Sequence, residues 1–281
     1  MHNEDLHALA RFSFENADTF CNSENGCNPY HKTWSFLRLF ERGSVLPAGE
    51  AFYRQELEGV VARGARRILL SGAADTGLIA LVSKVFAELG MRPEITLVDR
   101  CRTVIEQNRL FVEASKSDAE FFVGSIHDFY AEPFDVIFAH SFMLFFPGDQ
   151  LDALALTWRR LLKDDGIVLS TDFMTSSADP VQLSAMTQEE IEAKLAVVTK
   201  AAEDYGMDRS AIAELNRCSQ FVLKEMHLIS QTPLLSLSEL RNRMRSGGLE
   251  VLRTSSGANP RLTYSTQGTN YFYYSTVIGA L

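Results

Sequence analysis

Apolar and polar positions change rhythm twice along the chain. Residues 4–20 (EDLHALARFSFENADTF) place Leu6, Leu9, Phe12 and Phe20 at a rough helical spacing, and a polar, turn-rich stretch (CNSENGCNP) follows. Two more helical segments come next, at about 30–42 and 48–63, the second with Phe52, Leu57, Val60 and Val61 on one side. From residue 67 the pattern is different. Short apolar runs at 67–71 (RILLS), 95–98 (ITLV), 120–123 (EFFV), 134–139 (FDVIFA) and 167–171 (IVLST) read as strands. Helical segments at 78–89, 102–115 and 150–162 separate most of them; Gly90 stops the first, and the turn 163–166 (KDDG) leads into the fifth strand. Strands alternating with helices predict a doubly wound α/β unit whose parallel sheet is buried on both faces.

Residues 176–232 break that alternation with two long helical patterns, one opened by a capping box at Thr187 and Glu190 and the other centred on 210–228. The alternation then resumes. A second capping box, Ser236 and Glu239, opens a helix ending at Gly247 and Gly248; a strand at 249–254 follows, and 270–278 closes the chain. The run Tyr271, Phe272, Tyr273, Tyr274 alternates as a strand and reads as packing. The expected organisation is an N-terminal helical cap (1–64), an α/β core (65–175 and 236–281) and a helical insertion (176–235). Both additions carry aromatic and long apolar side chains that neither can bury alone. They are therefore expected to pack on each other as a lid over the carboxyl ends of the strands, where ligands bind in such folds.

Composition narrows the function classes. The chain has 281 residues, 46% hydrophobic and 22% charged, enough for one substantial core. Its net charge is −9 and no basic stripe interrupts it, which argues against holding a phosphate backbone, so no nucleic-acid partner is expected. The longest strongly apolar stretch, 138–146, falls short of the roughly 20 residues of a membrane helix. The N-terminus has no apolar segment after a basic one, so no signal peptide and a cytoplasmic protein are expected. Four cysteines do not make a disulfide framework in a chain this long. Cys21 and Cys27, with His31 nearby, can be read as metal ligands, but their spacing is wide and a fourth ligand is missing. Reduced thiols and no metal are the simpler expectation.

The turn Ser71, Gly72, Ala73, Ala74, Asp75, Thr76, Gly77 joins a buried strand to a helix. Small residues let backbone approach a ligand, and the helix start offers N–H groups. Asp99 ends the next strand, where an acid is placed to bind the ribose hydroxyls of a nucleoside. A dinucleotide-binding fold is one reading, but it wants G-x-G-x-x-G with a pyrophosphate on the helix end. Asp75 would repel that pyrophosphate and attract a cationic ligand.

The ordered runs ILLSGAADTG, ITLVD, FFVGSIHDF, FDVIFAHSF and WRRLLKDDG-IVLS resemble the motif set of class I S-adenosylmethionine (SAM)-dependent methyltransferases over residues 65–172, and 237–278 resembles that family's C-terminal end. The resemblance implies a seven-stranded sheet with an antiparallel last strand, and SAM as cofactor. It implies that the turn (Ser71, Gly72, Ala73, Asp75, Gly77) holds the methionine part and that Asp99, beside Arg100, holds the ribose. It also implies that Ser125 and Ile126 flank the adenine, with Asp128 accepting from its amine. The family's turn is acid-x-Gly-x-Gly-x-Gly; here Ser71, Ala73 and Asp75 stand at the first three marked positions and only Gly77 is kept. Asp75 is therefore expected to take over contact with the cofactor's amino group.

On the acceptor side, His140 and Ser141 follow the fourth strand, where the family places acceptor-facing residues. His140 is a candidate base because an unperturbed imidazole titrates near neutrality. Tyr30 and His31 open the helix that would roof the site and are candidates for closing over the ligands. Trp34 and Trp158 are expected in the core. The reading that results is methyl transfer to a small molecule. Two alternatives stay open: an enzyme of this fold that consumes SAM without methylating, as azetidine-2-carboxylate synthases do by releasing methylthioadenosine, and a non-enzymatic binding protein.

Overall fold

A computed structural model describes residues 3–21, 27–42, 49–175, 186–229, 235–257 and 271–281. Three helices come first: α1 (Asn3–Phe20), α2 (Asn28–Arg42) and α3 (Glu50–Ala62). The α/β alternation then runs β1 (Arg67–Ser71), α4 (Gly77–Glu88), β2 (Glu94–Asp99), α5 (Arg102–Ser115), β3 (Ala119–Val123), β4 (Phe134–His140), α6 (Asp149–Leu161) and β5 (Leu162–Thr175). Helices α7 (Gln188–Asp204) and α8 (Arg209–Ile229) follow, and α9 (Leu237–Ser246), β6 (Leu249–Gly257) and β7 (Tyr271–Ala280) close the chain. Part of the expected hinge, residues 22–26, and part of the expected lid, 176–185 and 230–234, lie outside the described residues.

The strands form one seven-stranded sheet in the order β3-β2-β1-β4-β5-β7-β6. β1, β2, β3, β4 and β5 pair in parallel, whereas β7 runs antiparallel to both β5 and β6. The sheet is doubly wound because β1 and β4 are neighbours although two strands, β2 and β3, come between them in the chain. The carboxyl ends of β1 and β4 therefore form the switch point at which such sheets bind ligands. Apolar side chains cover both faces: α3, α4 and α5 with Leu57, Val82 and Ile105 on one, α6 and α9 with Trp158, Leu154 and Leu240 on the other. This accounts for the nearly unbroken apolar runs of β1 and β4.

The expected turn at 163–166 is absorbed into β5. Leu162 pairs with Phe134 and Ile167 with Val136, so five steps on β5 face two on β4 and the KDDG segment bulges out of the ladder. The capping box at Thr187 and Glu190 is formed, and the Ser236 hydroxyl accepts from the Glu239 N–H to start α9.

A third apolar cluster joins the helical additions. Phe36, Leu37 and Leu39 of α2 pack with Ala10 of α1, Val198 and Ala202 of α7 and Leu215 of α8. A polar seam beside it includes Lys32, which donates to Asp18 and to Glu214 of α8 at 2.9 Å. The sequence-distant helices thus complete one another's core. Among the described residues, no helix is long and apolar enough to cross a membrane.

Candidate functional site

Asp99 ends β2 and reaches sideways to the turn after β1. Its Oδ2 accepts the Ala73 N–H at 2.9 Å, and its Oδ1 accepts the Cys101 N–H at 2.7 Å. One carboxylate therefore ties the turn to the start of α5, while each oxygen keeps a further lone pair. Burial pushes its pKa up to about 6 against the lowering effect of those two backbone donors.

Gly72 stands in the left-handed region (φ +79°), and a Cβ built there would lie 2.4 Å from the ring of Phe142. Only glycine satisfies both conditions. Phe142 follows β4, so this contact closes the switch point between the ends of β1 and β4. The turn's polar side chains Ser71 and Asp75 have partners inside the protein. Ser71 is fully buried and accepts from the Trp158 indole at 3.2 Å.

Asp75 is 3% exposed and accepts twice: from the Arg38 guanidinium of α2 at 2.6 Å and from the Gly77 N–H at 2.8 Å. The expectation that Asp75 meets a ligand's amino group therefore gives way to an internal ion pair. A carboxylate this buried needs a cation, and α2 supplies one. Asn108 adds a bond from its amide to the Asp75 carbonyl at 3.3 Å.

The residues after β3 form a short 3-10 turn, Ile126–Asp128. Ser125 caps it, Ile126 is buried, Asp128 is exposed, and His127 is held by Thr157 at 2.8 Å. Arg100 is exposed beside Asp99.

His140, half-buried at the end of β4, has Nδ1 3.0 Å from the hydroxyl of the fully buried Tyr53 in α3. That hydroxyl also donates to the Ala139 carbonyl at 3.4 Å. The contact with Tyr53 fixes the orientation of the imidazole ring at the end of β4. Ser141 adopts a left-handed backbone (φ 49°) and donates its N–H to the Thr171 carbonyl at 2.8 Å. This strained residue bends the chain off β4 so that Phe142 meets Gly72.

Under this bend lies Asp172, 1% exposed, which accepts the Met143 N–H at 3.0 Å and the Ser170 hydroxyl. Burial pushes its pKa up to about 6. The folded protein thus binds this proton more tightly than the unfolded chain does. The stability it contributes is complete below about pH 4 and is lost as pH rises through about 6. A shift of roughly two units corresponds to on the order of 3 kcal/mol. Asp172→Asn should therefore gain on the wild type by about that much between pH 4 and pH 7 in denaturant titrations. A difference that does not change with pH would show that Asp172 is ionised in both states.

Tyr30 and His31 stand on α2 with neighbours of their own. Tyr30 stacks on the half-buried Trp34 at 5.1 Å, and His31 is buried in a cluster of thiols. Its Nδ1 lies 3.3 Å from both Cys21 Sγ and Cys101 Sγ. The fourth group that was missing beside Cys21, Cys27 and His31 is Cys101, two residues after Asp99: the four side chains converge, and the cysteines are free thiols. Sequence reasoning missed Arg38, Tyr53, Cys101 and Asp172. The one local signal was a charged residue inside an apolar run, as at Asp172 in β5 and Arg38 between Leu37 and Leu39.

A groove of about 650 Å³ lined by Pro133, Arg159, Arg160 and Lys163 lies where β4 and β5 begin, at the opposite end of the strands from these groups.

Strand order, the antiparallel β7 and the acid after β2 together define the fold of the class I SAM-dependent methyltransferases. Solved structures agree in fold. A geranyl diphosphate methyltransferase in complex with SAM matches at TM-score 0.52 and 10% identity, over 82% of this chain and 85% of that one. An O-methyltransferase family protein from Burkholderia thailandensis matches at 0.50 and 16%, over 89% and 59%. The [4+2]-cyclase SpnF matches at 0.50 and 11%, over 79% of each chain. The chain spans little more than half the length of some of these relatives in fold, 55% for the mitomycin 7-O-methyltransferase MmcR. No family model and no curated protein matches the sequence.

Proposed function

We propose that the chain binds SAM at the switch point and transfers its methyl group to a small molecule. The observation that carries this reading is Asp99, a carboxylate at the end of β2 whose oxygens are aimed by the Ala73 and Cys101 N–H groups. A carboxylate held in this way can still accept from two adjacent hydroxyls, which suits a ribose. Ser125, Ile126 and Asp128 at the end of β3 supply an apolar floor and an exposed acceptor, which suits an adenine edge. The nucleoside half therefore fits these residues. At the amino-acid end, the Arg38–Asp75 pair stands in place of a single acid.

SAM, when bound, supplies an electrophilic carbon on a sulfonium. The chain's part is to orient, to exclude water and to take up a proton where the acceptor has one. His140, oriented by Tyr53, is the base in this reading, and Asp172 fixes the bend that carries Ser141 and Phe142 beside it.

The altered amino-acid end favours a second reading, in which SAM is consumed without methyl transfer. Mass spectrometry of the nucleosides formed from SAM, alone and with a panel of phenol, amine and carboxylate acceptors, separates the readings. Adenosylhomocysteine rising only with acceptor is the expected result. Methylthioadenosine formed from SAM alone would overturn methyl transfer in favour of the second reading, and neither product from a protein that binds SAM would make it a binding protein.

A further inference from the structure

We propose that Cys21, Cys27, His31 and Cys101 bind one Zn²⁺ in a closed tetrahedral site that fastens the N-terminal helices to the α/β core. The four ligand atoms all lie within 4.8 Å of one another. Cys101 Sγ is 3.5 Å from Cys21 Sγ and 3.9 Å from Cys27 Sγ, and the His31 Nδ1 is 3.3 Å from the sulfurs of Cys21 and Cys101. A tetrahedral Zn²⁺ with ordinary bond lengths sets sulfurs about 3.8 Å apart and sulfur and nitrogen about 3.6 Å apart. These four distances lie close to the edges of that tetrahedron, and the other two edges are at most 4.8 Å.

The elements explain why these residues meet. Cys21 follows the last turn of α1. Cys27 immediately precedes α2, and its carbonyl accepts the His31 N–H at 3.1 Å, so the two side chains stand one helical turn apart. Cys101 caps α5. Supports outside the four ligands are also in place. The fully buried Thr103 has its hydroxyl 3.1 Å from the Cys21 sulfur, where it can donate to a thiolate, and Ser13 of α1 donates to the His31 carbonyl at 2.7 Å.

A disulfide accounts for less. It would need two sulfurs at about 2.05 Å, would leave the third thiol over, and would give the imidazole no part. Three thiols and an imidazole make a soft, nitrogen-containing set suited to zinc, and four protein ligands leave no open position. The ion's role is therefore structural. Three ligands come from the cap and one from the core, and the core ligand's own N–H donates to Asp99. Fastening the cap thus also fixes the acid proposed to hold the ribose, although the metal site stands without that proposal.

The test is metal analysis of the full chain, purified under reducing conditions without chelator or a histidine tag. About one zinc per chain is expected. After removal of zinc, Co²⁺ should give visible d–d bands and thiolate charge transfer. Cys101→Ser should lower that charge transfer by about a third, one thiolate of three, and Cys218→Ser, in α8, should leave it unchanged. Chelation should also lower the melting temperature. Sub-stoichiometric zinc with no cobalt spectrum from a folded, reduced chain would overturn the site. So would a Cys21–Cys101 or Cys27–Cys101 disulfide found by mass spectrometry in the protein as isolated. Loss of zinc with unchanged melting would overturn the structural role.

Discussion

Replacing Asp99 with alanine is expected to weaken SAM binding by more than tenfold. Two charge-assisted hydrogen bonds to the ribose would be lost, each worth about 1.5–3 kcal/mol. The substitution also removes the acceptor for the Ala73 and Cys101 N–H groups, so the turn after β1 and the start of α5 lose their common anchor. Asp99→Asn separates the two effects. It keeps one acceptor oxygen for the backbone but cannot accept from two hydroxyls through equivalent oxygens, so it should hold its melting temperature better than the alanine variant while still binding SAM weakly. Calorimetry showing wild-type affinity in a folded Asp99→Ala would remove the residue from the site.

Breaking the Arg38–Asp75 pair should have the largest effect on stability. The two side chains are 8% and 3% exposed and meet at 2.6 Å, so Arg38→Met would leave a buried carboxylate whose side chain, among the described residues, keeps the Gly77 N–H as its one hydrogen-bonded partner. Removing one partner of a buried pair costs about 3–5 kcal/mol, because the charge that stays is uncompensated. The double variant Arg38→Met, Asp75→Ala should regain most of that loss. The pair links α2 to the first turn of α4, and the double-mutant cycle isolates their coupling from the other packing of Arg38. A loss below about 1 kcal/mol in Arg38→Met would mean that the pair is solvated, as surface pairs are. In that case α2 would be held to the core by its other contacts, among them Gln107 Nε2 donating to Ser35 and the meeting of His31 with Cys101.

The elements that repeat were legible in the sequence. The strands of the α/β alternation could be found from their apolar runs, because a central strand buried on both faces, such as β1 or β4, needs one and a helix face does not. The capping boxes at Thr187 and Ser236 marked two helix starts for an equally local reason: donor and acceptor lie three residues apart. What could not be read were contacts between distant segments. Asp75 looked like a ligand-facing acid because the cation that claims it, Arg38, comes from a helix 37 residues earlier. His31 looked like a roof residue because Cys101, 70 residues later, was not in view. Ser71 was read from its place in a motif, whereas its hydroxyl is taken by Trp158, 87 residues away. The turn after 163 was misjudged for another reason: Lys163 to Gly166 have turn chemistry, yet pairing on either side keeps the segment within β5 as a bulge. The position of Asp99, at the end of β2, was legible because it follows from the strand's own apolar run.

Binding of SAM through its nucleoside at Asp99 can be measured by calorimetric titration of the purified, zinc-replete chain with SAM and with adenosylhomocysteine. One site per chain is expected for each ligand, with the two competing and both weakened in Asp99→Asn. No heat and no competition up to millimolar ligand, from a chain that is folded by circular dichroism, would contradict it.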